Sequence, residues 1–251
     1  MVHFVGAGCG APDLITVRGA RLLGEADVII YAGSLVNPEL LKYARPDCEI
    51  HDSAYLDLEQ VMEIVRAAEA AGKTTVRLHT GDSSIYGAVR EQFDALDAMG
   101  VRYDVCPGVS AFCGAAASLR AEYTLPGVSQ SVIISRMEGR TPVPEKEKIR
   151  ALASHGATMV LFLSTGLLDG LQAELIAGGC APETPAAIVY KASWPEEKIF
   201  RCPLCRLAET ARENGIHKTA LILVGGFLGD AYDRSKLYDP SFTTEFREAR
   251  L

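Results

Sequence analysis

The chain has 251 residues, of which 48% are hydrophobic and 23% charged, and its net charge is -7. Those values describe a globular protein large enough to bury a core without staples, in one domain or two. The acidic balance and the lack of any basic cluster exclude nucleic acid as a natural partner, so an anionic ligand needs cations gathered locally.

Val2–Val5 reads as a first strand, and no signal peptide is expected because no basic region and long apolar run open the chain. A glycine loop, Gly6 to Ala11, follows, and Thr16 has the chemistry of a helix N-cap for a helix through Leu22 and Leu23. Asp27 to Tyr31 is a second strand, a short helix opens near Pro38, Ile50 marks a short strand, and residues 58–71 carry helical periodicity up to Gly72. Val76 and Leu78 supply a buried strand that breaks at Gly81. Asp82, Ser83 and Ser84 are all good caps, so the next helix is expected from there through Phe93, Leu96 and Met99. Val101 to Cys106 is the following strand, ending at Pro107-Gly108. Strands alternating with helices predict a mostly parallel sheet.

After Ser110 the pattern changes. Residues 111–117 are small and apolar, a packed helix or a linker, and a boundary is expected near residue 115, dividing the chain into 1–114 and 115–251. Strands are expected near 129–135, 158–163, 186–190, 199–202 and 219–224, with helices near 145–153, 168–176 and 208–213. Fewer helices between strands predict a more mixed second sheet. The apolar run 157–168 is broken by Ser164, Thr165 and Gly166 and is too short to span a bilayer, so no membrane partner is expected. The tail from Asp230 is polar and aromatic and reads as surface-lying.

Gly6-Ala7-Gly8-Cys9-Gly10-Ala11 fits the dinucleotide fingerprint, but Pro12 denies the turn a free N–H, and Asp27 opens the second strand where a ribose-binding acid should close it. A tight turn, or a flat floor for a large planar ligand, fits better than a nicotinamide site. Cys202 and Cys205 have the spacing of a metal or redox pair, but a single pair with no histidine nearby is a weak signal. No protein-bound metal is expected. Seven cysteines, odd in number and without framework spacing, suit reduced thiols in a cytoplasmic protein. The stretch Thr80-Gly81-Asp82 stands out, because ligands of open α/β sheets bind beyond the carboxyl ends of strands.

The segments from Val5 to Thr16, from Tyr31 to Val36, from Thr80 to Gly87 and from Pro107 to Ala111 together resemble the tetrapyrrole methyltransferases of the cobalamin and sirohaem pathways. Within that family, Arg136 to Pro144 and Val189 to Lys198 look like the branch that methylates C-11 of precorrin-4 or cobalt-precorrin-4. The turn departs from the family at Ser83, where Gly-Asp-Pro is usual. The resemblance implies two α/β domains, the first with a mostly parallel and the second with a mixed sheet, with S-adenosylmethionine bound in the cleft between them, a tetrapyrrole as small-molecule substrate, and a homodimer.

Carried over position by position, the donor contacts are Pro12, Gly81, Asp82, Ile85, Tyr86, Ser110 and Ala111, joined from the second half by Leu163, Ala187, Thr219, Ala220 and Leu221. Asp82 suits the charged amino-acid end of the donor, although an aspartate there can equally be a plain helix cap. A macrocycle carrying many carboxylates needs cations, for which Arg136, Arg140, Lys191 and Lys198 are candidates, with Tyr31 and Ser34 lining the same trough. Glu138 and His79 are the candidate bases. Transfer elsewhere on the macrocycle, non-catalytic tetrapyrrole or S-adenosylhomocysteine carriage, and nucleotide-dependent redox chemistry are the alternatives.

Overall fold

The computed structural model describes residues 1–250. The chain divides into two compact units. The first comprises Met1–Ala115 together with Lys191–Glu197, and the second begins at Ala116, runs to Tyr190 and resumes at Lys198. The short segment Lys191–Glu197 thus groups with the first unit, a feature that a single cut near residue 115 does not contain.

The first unit is built on β1 (Val2–Gly6), α1 (Val17–Glu25), β2 (Val28–Tyr31), β3 (Glu49–Asp52), α2 (Leu58–Ala70), β4 (Thr75–His79), α3 (Arg90–Met99), β5 (Tyr103–Cys106) and α4 (Ala111–Leu119), the last straddling the division. Its five strands lie in the order β3-β2-β4-β1-β5, and every pairing is parallel. Alternate residues feed two cores. Val5, Ile29, Val76 and Leu78 pack with Leu22 and Leu23 of α1, while Phe4, Val28 and Ile30 pack with Val61 and Val65 of α2 and Leu96 of α3. Covering both faces is what an all-parallel sheet requires.

Thr16 caps α1 as its chemistry predicts, its hydroxyl oxygen accepting from Gly19 N at 3.0 Å. Thr16→Ala is therefore expected to cost about 1 kcal/mol, read as a lower urea midpoint at unchanged slope. The helix expected to start at Asp82 does not. Residues 83–86 form a turn, Tyr86 and Ala88 take left-handed φ of 55° and 47°, and α3 begins only at Arg90. A non-glycine residue in that region interrupts a right-handed helix.

The second unit carries β6 (Val132–Arg136), α5 (Ile149–Ala153), β7 (Thr158–Phe162), α6 (Leu168–Ala177), β8 (Pro185–Tyr190), β9 (Lys198–Pro203), α7 (Leu207–Glu213) and β10 (Ala220–Val224). The order is β6-β7-β10-β8-β9, with β6 and β7 parallel and the remaining pairs antiparallel, so this sheet is mixed. Leu161, Ile188 and Ile222 build its core with Leu171 and Leu175 of α6 and Leu207 of α7. The tail bears exposed aromatic side chains, among them Tyr238 and Phe246. Among the described residues no helix is long and apolar enough to cross a membrane.

Candidate active site

Three neighbouring strands of the first sheet, β4, β1 and β5, end in three turns that touch through their backbones. Gly8 and Gly81 exchange hydrogen bonds, Gly81 N to Gly8 O at 2.9 Å and Gly8 N to Gly81 O at 3.2 Å. A methyl group on Gly108 would fall 2.1 Å from the Gly81 carbonyl oxygen and 2.7 Å from Gly6 Cα. Only glycine lets the chains approach so closely. The turns of the glycine loop, of the Gly81-Asp82 bend and of Pro107-Gly108 thereby form one surface at the carboxyl end of the sheet, the place where open α/β sheets bind ligands.

Asp82 is the tie between two of these turns. Its Oδ2 accepts from Gly108 N at 2.7 Å, and its Oδ1 accepts from Ser84 N at 2.9 Å and from the Ser84 hydroxyl. Burial pushes its carboxyl up, but the hydrogen bonds from the Ser84 hydroxyl, Gly108 N–H and Ser84 N–H outweigh this and hold it below its ordinary value. It is ionised at neutral pH. It closes a bend here and caps no helix. Three bonds on a carboxylate with room for about four leave acceptor capacity for one cationic donor.

The glycine loop is pinned from the other side by Lys191–Glu197. The Ser193 hydroxyl oxygen accepts from Ala11 N at 3.0 Å, and the loop's Gly10 carbonyl accepts from Asn37 Nδ2 at 2.9 Å. Lys191 and Ser193 both take left-handed φ, 47° and 63°. Lys191 Nζ lies 5.0 Å from the centre of the Trp194 ring and 3.4 Å from a Glu196 carboxylate oxygen. This strap escaped sequence reasoning, which named Lys191 only as one of four candidate cations for the substrate.

The first-unit positions carried over for the donor gather at these turns. Gly81, Asp82, Ile85 and Tyr86 follow β4, Ser110 and Ala111 follow β5, and Pro12 opens a short helical turn after the glycine loop. In the second unit, Leu163 follows β7, and Thr219 precedes β10, with the Thr165 hydroxyl donating to the Ala220 carbonyl at 2.9 Å. Leu163 and Thr219 hold left-handed φ of 50° and 59°, a strained backbone of the kind that collects at functional sites. Ala187 and Leu221 are buried within β8 and β10.

The expected substrate residues divide. Tyr31 ends β2, its hydroxyl donating toward Asp52 Oδ2 at 3.5 Å, and Ser34 is exposed just beyond. Arg140 and Glu138 are exposed in the loop after β6, and Lys198 is exposed at the start of β9. Arg136, by contrast, is occupied with its own loop, its guanidinium donating to the carbonyls of Met137, Thr141 and Pro142 at 3.1–3.3 Å. It holds that loop closed.

His79 ends β4 at 5% exposure, its ring stacked on Phe4 with centroids 5.9 Å apart and its Nε2 enclosed without a partner. Burial, and then the nearby Arg77, draw its pKa down to about 3. A group so hard to protonate is neutral at pH 7 and a poor proton acceptor. Because the unfolded chain takes up this proton near pH 6.5 and the folded one only near pH 3, stability falls as pH drops through that window. The loss is expected to reach up to about 4 kcal/mol. Urea titrations between pH 7 and pH 4 check this: the slope with pH should flatten in His79→Phe, and an equal slope in both proteins would contradict it.

Among the described residues no group of three His, Cys, Asp or Glu side chains is placed to hold a metal. Cys202 and Cys205 are free thiols, and burial pushes the Cys202 thiol up, away from the reactive thiolate.

The family model for tetrapyrrole (corrin/porphyrin) methylases matches residues 1–208. The chain belongs to that family. Within the family, it is 53% identical to the cobalt-precorrin-4 C(11)-methyltransferase of Methanocaldococcus jannaschii, over 99% of this chain and 96% of that one. The solved structure of a cobalamin biosynthetic enzyme, cobalt precorrin-4 methyltransferase, superimposes with a TM-score of 0.89 at 44% identity, covering 91% of this methylase and 96% of that chain. The uroporphyrin-III C-methyl transferase of Thermus thermophilus, solved with S-adenyl homocysteine, has a TM-score of 0.76 at 28% identity, covering 90% and 98%.

Proposed function

We propose that this methylase transfers a methyl group from S-adenosylmethionine to C-11 of cobalt-precorrin-4. The observation that carries this reading is the identity of 53% with the Methanocaldococcus enzyme along nearly the whole of both chains. The identity of 44% with the Mycobacterium tuberculosis precorrin-4 C(11)-methyltransferase extends the reading to the metal-free substrate.

The residues fit the donor. Asp82 is an ionised carboxylate with spare acceptor capacity, set in a surface of backbone turns, which suits a ligand carrying an ammonium group and a flat ring system. When bound, S-adenosylmethionine supplies an electrophilic methyl on a sulfonium. What remains for the protein is positioning, which can remove roughly 7–11 kcal/mol of barrier. Asp82 takes the ammonium, with Gly81, Ile85, Tyr86, Ser110, Ala111 and Pro12 shaping the rest.

On the acceptor side, Arg140, Lys191 and Lys198 are the cations for substrate carboxylates, and Tyr31 and Ser34 are further substrate contacts. Arg136 acts through the loop it closes. Of the two candidate bases, His79 serves as a neutral wall, which leaves the exposed Glu138 as the remaining candidate. The enzyme works as a cytoplasmic homodimer on this reading.

Calorimetry with S-adenosylhomocysteine and NAD, followed by incubation of cobalt-precorrin-4 with methyl-labelled donor, tests the proposal. Binding of the first, none of the second, and label on the macrocycle are expected. Binding without transfer would make the protein a carrier, and binding of NAD alone would restore the redox reading of the glycine loop.

A further inference from the structure

Arg77 lies within β4 at 8% exposure, an uncommon place for a cation. Its Nε donates to Gln92 Oε1 at 3.0 Å and its Nη1 to the Ile30 carbonyl at 3.1 Å. Both acceptors are neutral. Burial alone acts on the guanidinium, drawing its pKa to about 10, and no carboxylate contributes. A buried charge without a counter-charge is expensive, so such groups are normally paired.

Beside this arginine is a cavity of about 240 Å³, walled by Arg77, His79, Gln92, Ala88, Ser53 and Leu56 among others. The acids Asp57 and Glu91 also line it. Asp57 is committed to the start of α2, where it accepts from Gln60 N at 2.8 Å, and Glu91 is exposed on α3. His79 stays neutral there and adds no competing charge. Two of the five guanidinium N–H groups are used in the bonds named, which leaves Arg77 able to bind a planar anion. The cavity is below the roughly 300–1,000 Å³ that encloses a drug-sized ligand. A macrocycle does not fit in it, but a single acid arm does.

We propose that this cavity receives the carboxylate at the end of one acid side arm of the tetrapyrrole, with Arg77 as its buried cation. The inference rests on the tetrapyrrole reading above and deepens it, because it places a substrate contact on the sheet itself rather than on the exposed loop cations.

Gln92→Glu tests it by supplying a carboxylate to Arg77 from within, at the cost of the hydrogen bond that Gln92 Nε2 donates to the Ala88 carbonyl at 2.9 Å. The KM for cobalt-precorrin-4 should rise about tenfold, the loss of one charge-assisted contact, with a smaller change in kcat and unchanged affinity for S-adenosylhomocysteine. Acetate, used as the probe anion, should compete with the tetrapyrrole in the wild-type enzyme and lose that effect in the variant. An unchanged KM in a folded Gln92→Glu enzyme would overturn the proposal. So would acetate that binds at Arg77 yet leaves the KM untouched, which would assign the cavity to a free anion. A wild-type protein that methylates no tetrapyrrole would defeat the functional reading and the arm together, and the acetate titration would still report separately whether Arg77 binds an anion.

Discussion

Asp82→Asn should weaken S-adenosylhomocysteine binding by about 10- to 100-fold, the worth of roughly 1.5–3 kcal/mol for a hydrogen bond to a charged group. The substitution keeps the shape and one oxygen acceptor, so much of the bend survives. It removes the negative charge that Ser84 and Gly108 hold in place. Calorimetry reads the change directly, and the rate of methyl transfer at low donor concentration should fall with it. Asp82 was also readable as an ordinary helix cap. On that account Asn, an equally good cap, would leave donor affinity within about twofold of the wild type, since the charge would then have no ligand to meet.

Gly108→Ala should be more damaging still, because it attacks the scaffold. The new methyl would sit 2.1 Å from one backbone oxygen and 2.7 Å from a backbone carbon, and neither can swing aside as a side chain would. Separating the β4 and β5 turns also breaks the Gly108–Asp82 bond. A loss on the order of 5 kcal/mol is expected, in the range reserved for steric overpacking and broken polar networks. Chemical denaturation compared with Gly166→Ala, where the added methyl meets nothing nearer than 3.9 Å and the backbone is not left-handed, separates this clash from the general cost of losing a glycine. Similar losses in the two proteins would contradict the close-approach account.

What the sequence disclosed about the fold was what depends on neighbours in the chain. Thr16 announced its helix because a hydroxyl three residues from an orphan N–H is a local arrangement. The alternation of strands and helices carried both sheets, including the mixed character of the second. The start of α3 was misread because three good caps stand in a row at residues 82–84. There Asp82 turns to Gly108, 26 residues away, and Tyr86 and Ala88 leave the helical region. No local pattern encodes that choice.

The site was legible to the same degree. The Gly81-Asp82 bend could be singled out from its composition and its place after a buried strand. The pinning of the glycine loop by Ser193, across 182 residues, could not. Nor could the fate of the cations. Arg136 and Arg140 look alike in a proline-bounded loop, yet Arg136 spends its guanidinium on three carbonyls of its own loop while Arg140 is exposed. Arg77 passed for a strand residue because the neutral character of its partners is a tertiary fact.

The most direct measurement is a crystal structure of the complex with S-adenosylhomocysteine. The account predicts the ligand's amino group within hydrogen-bonding distance of the Asp82 carboxylate, with its sulfur over the turns that follow β4 and β5. A ligand bound with its amino group elsewhere and Asp82 untouched would contradict it.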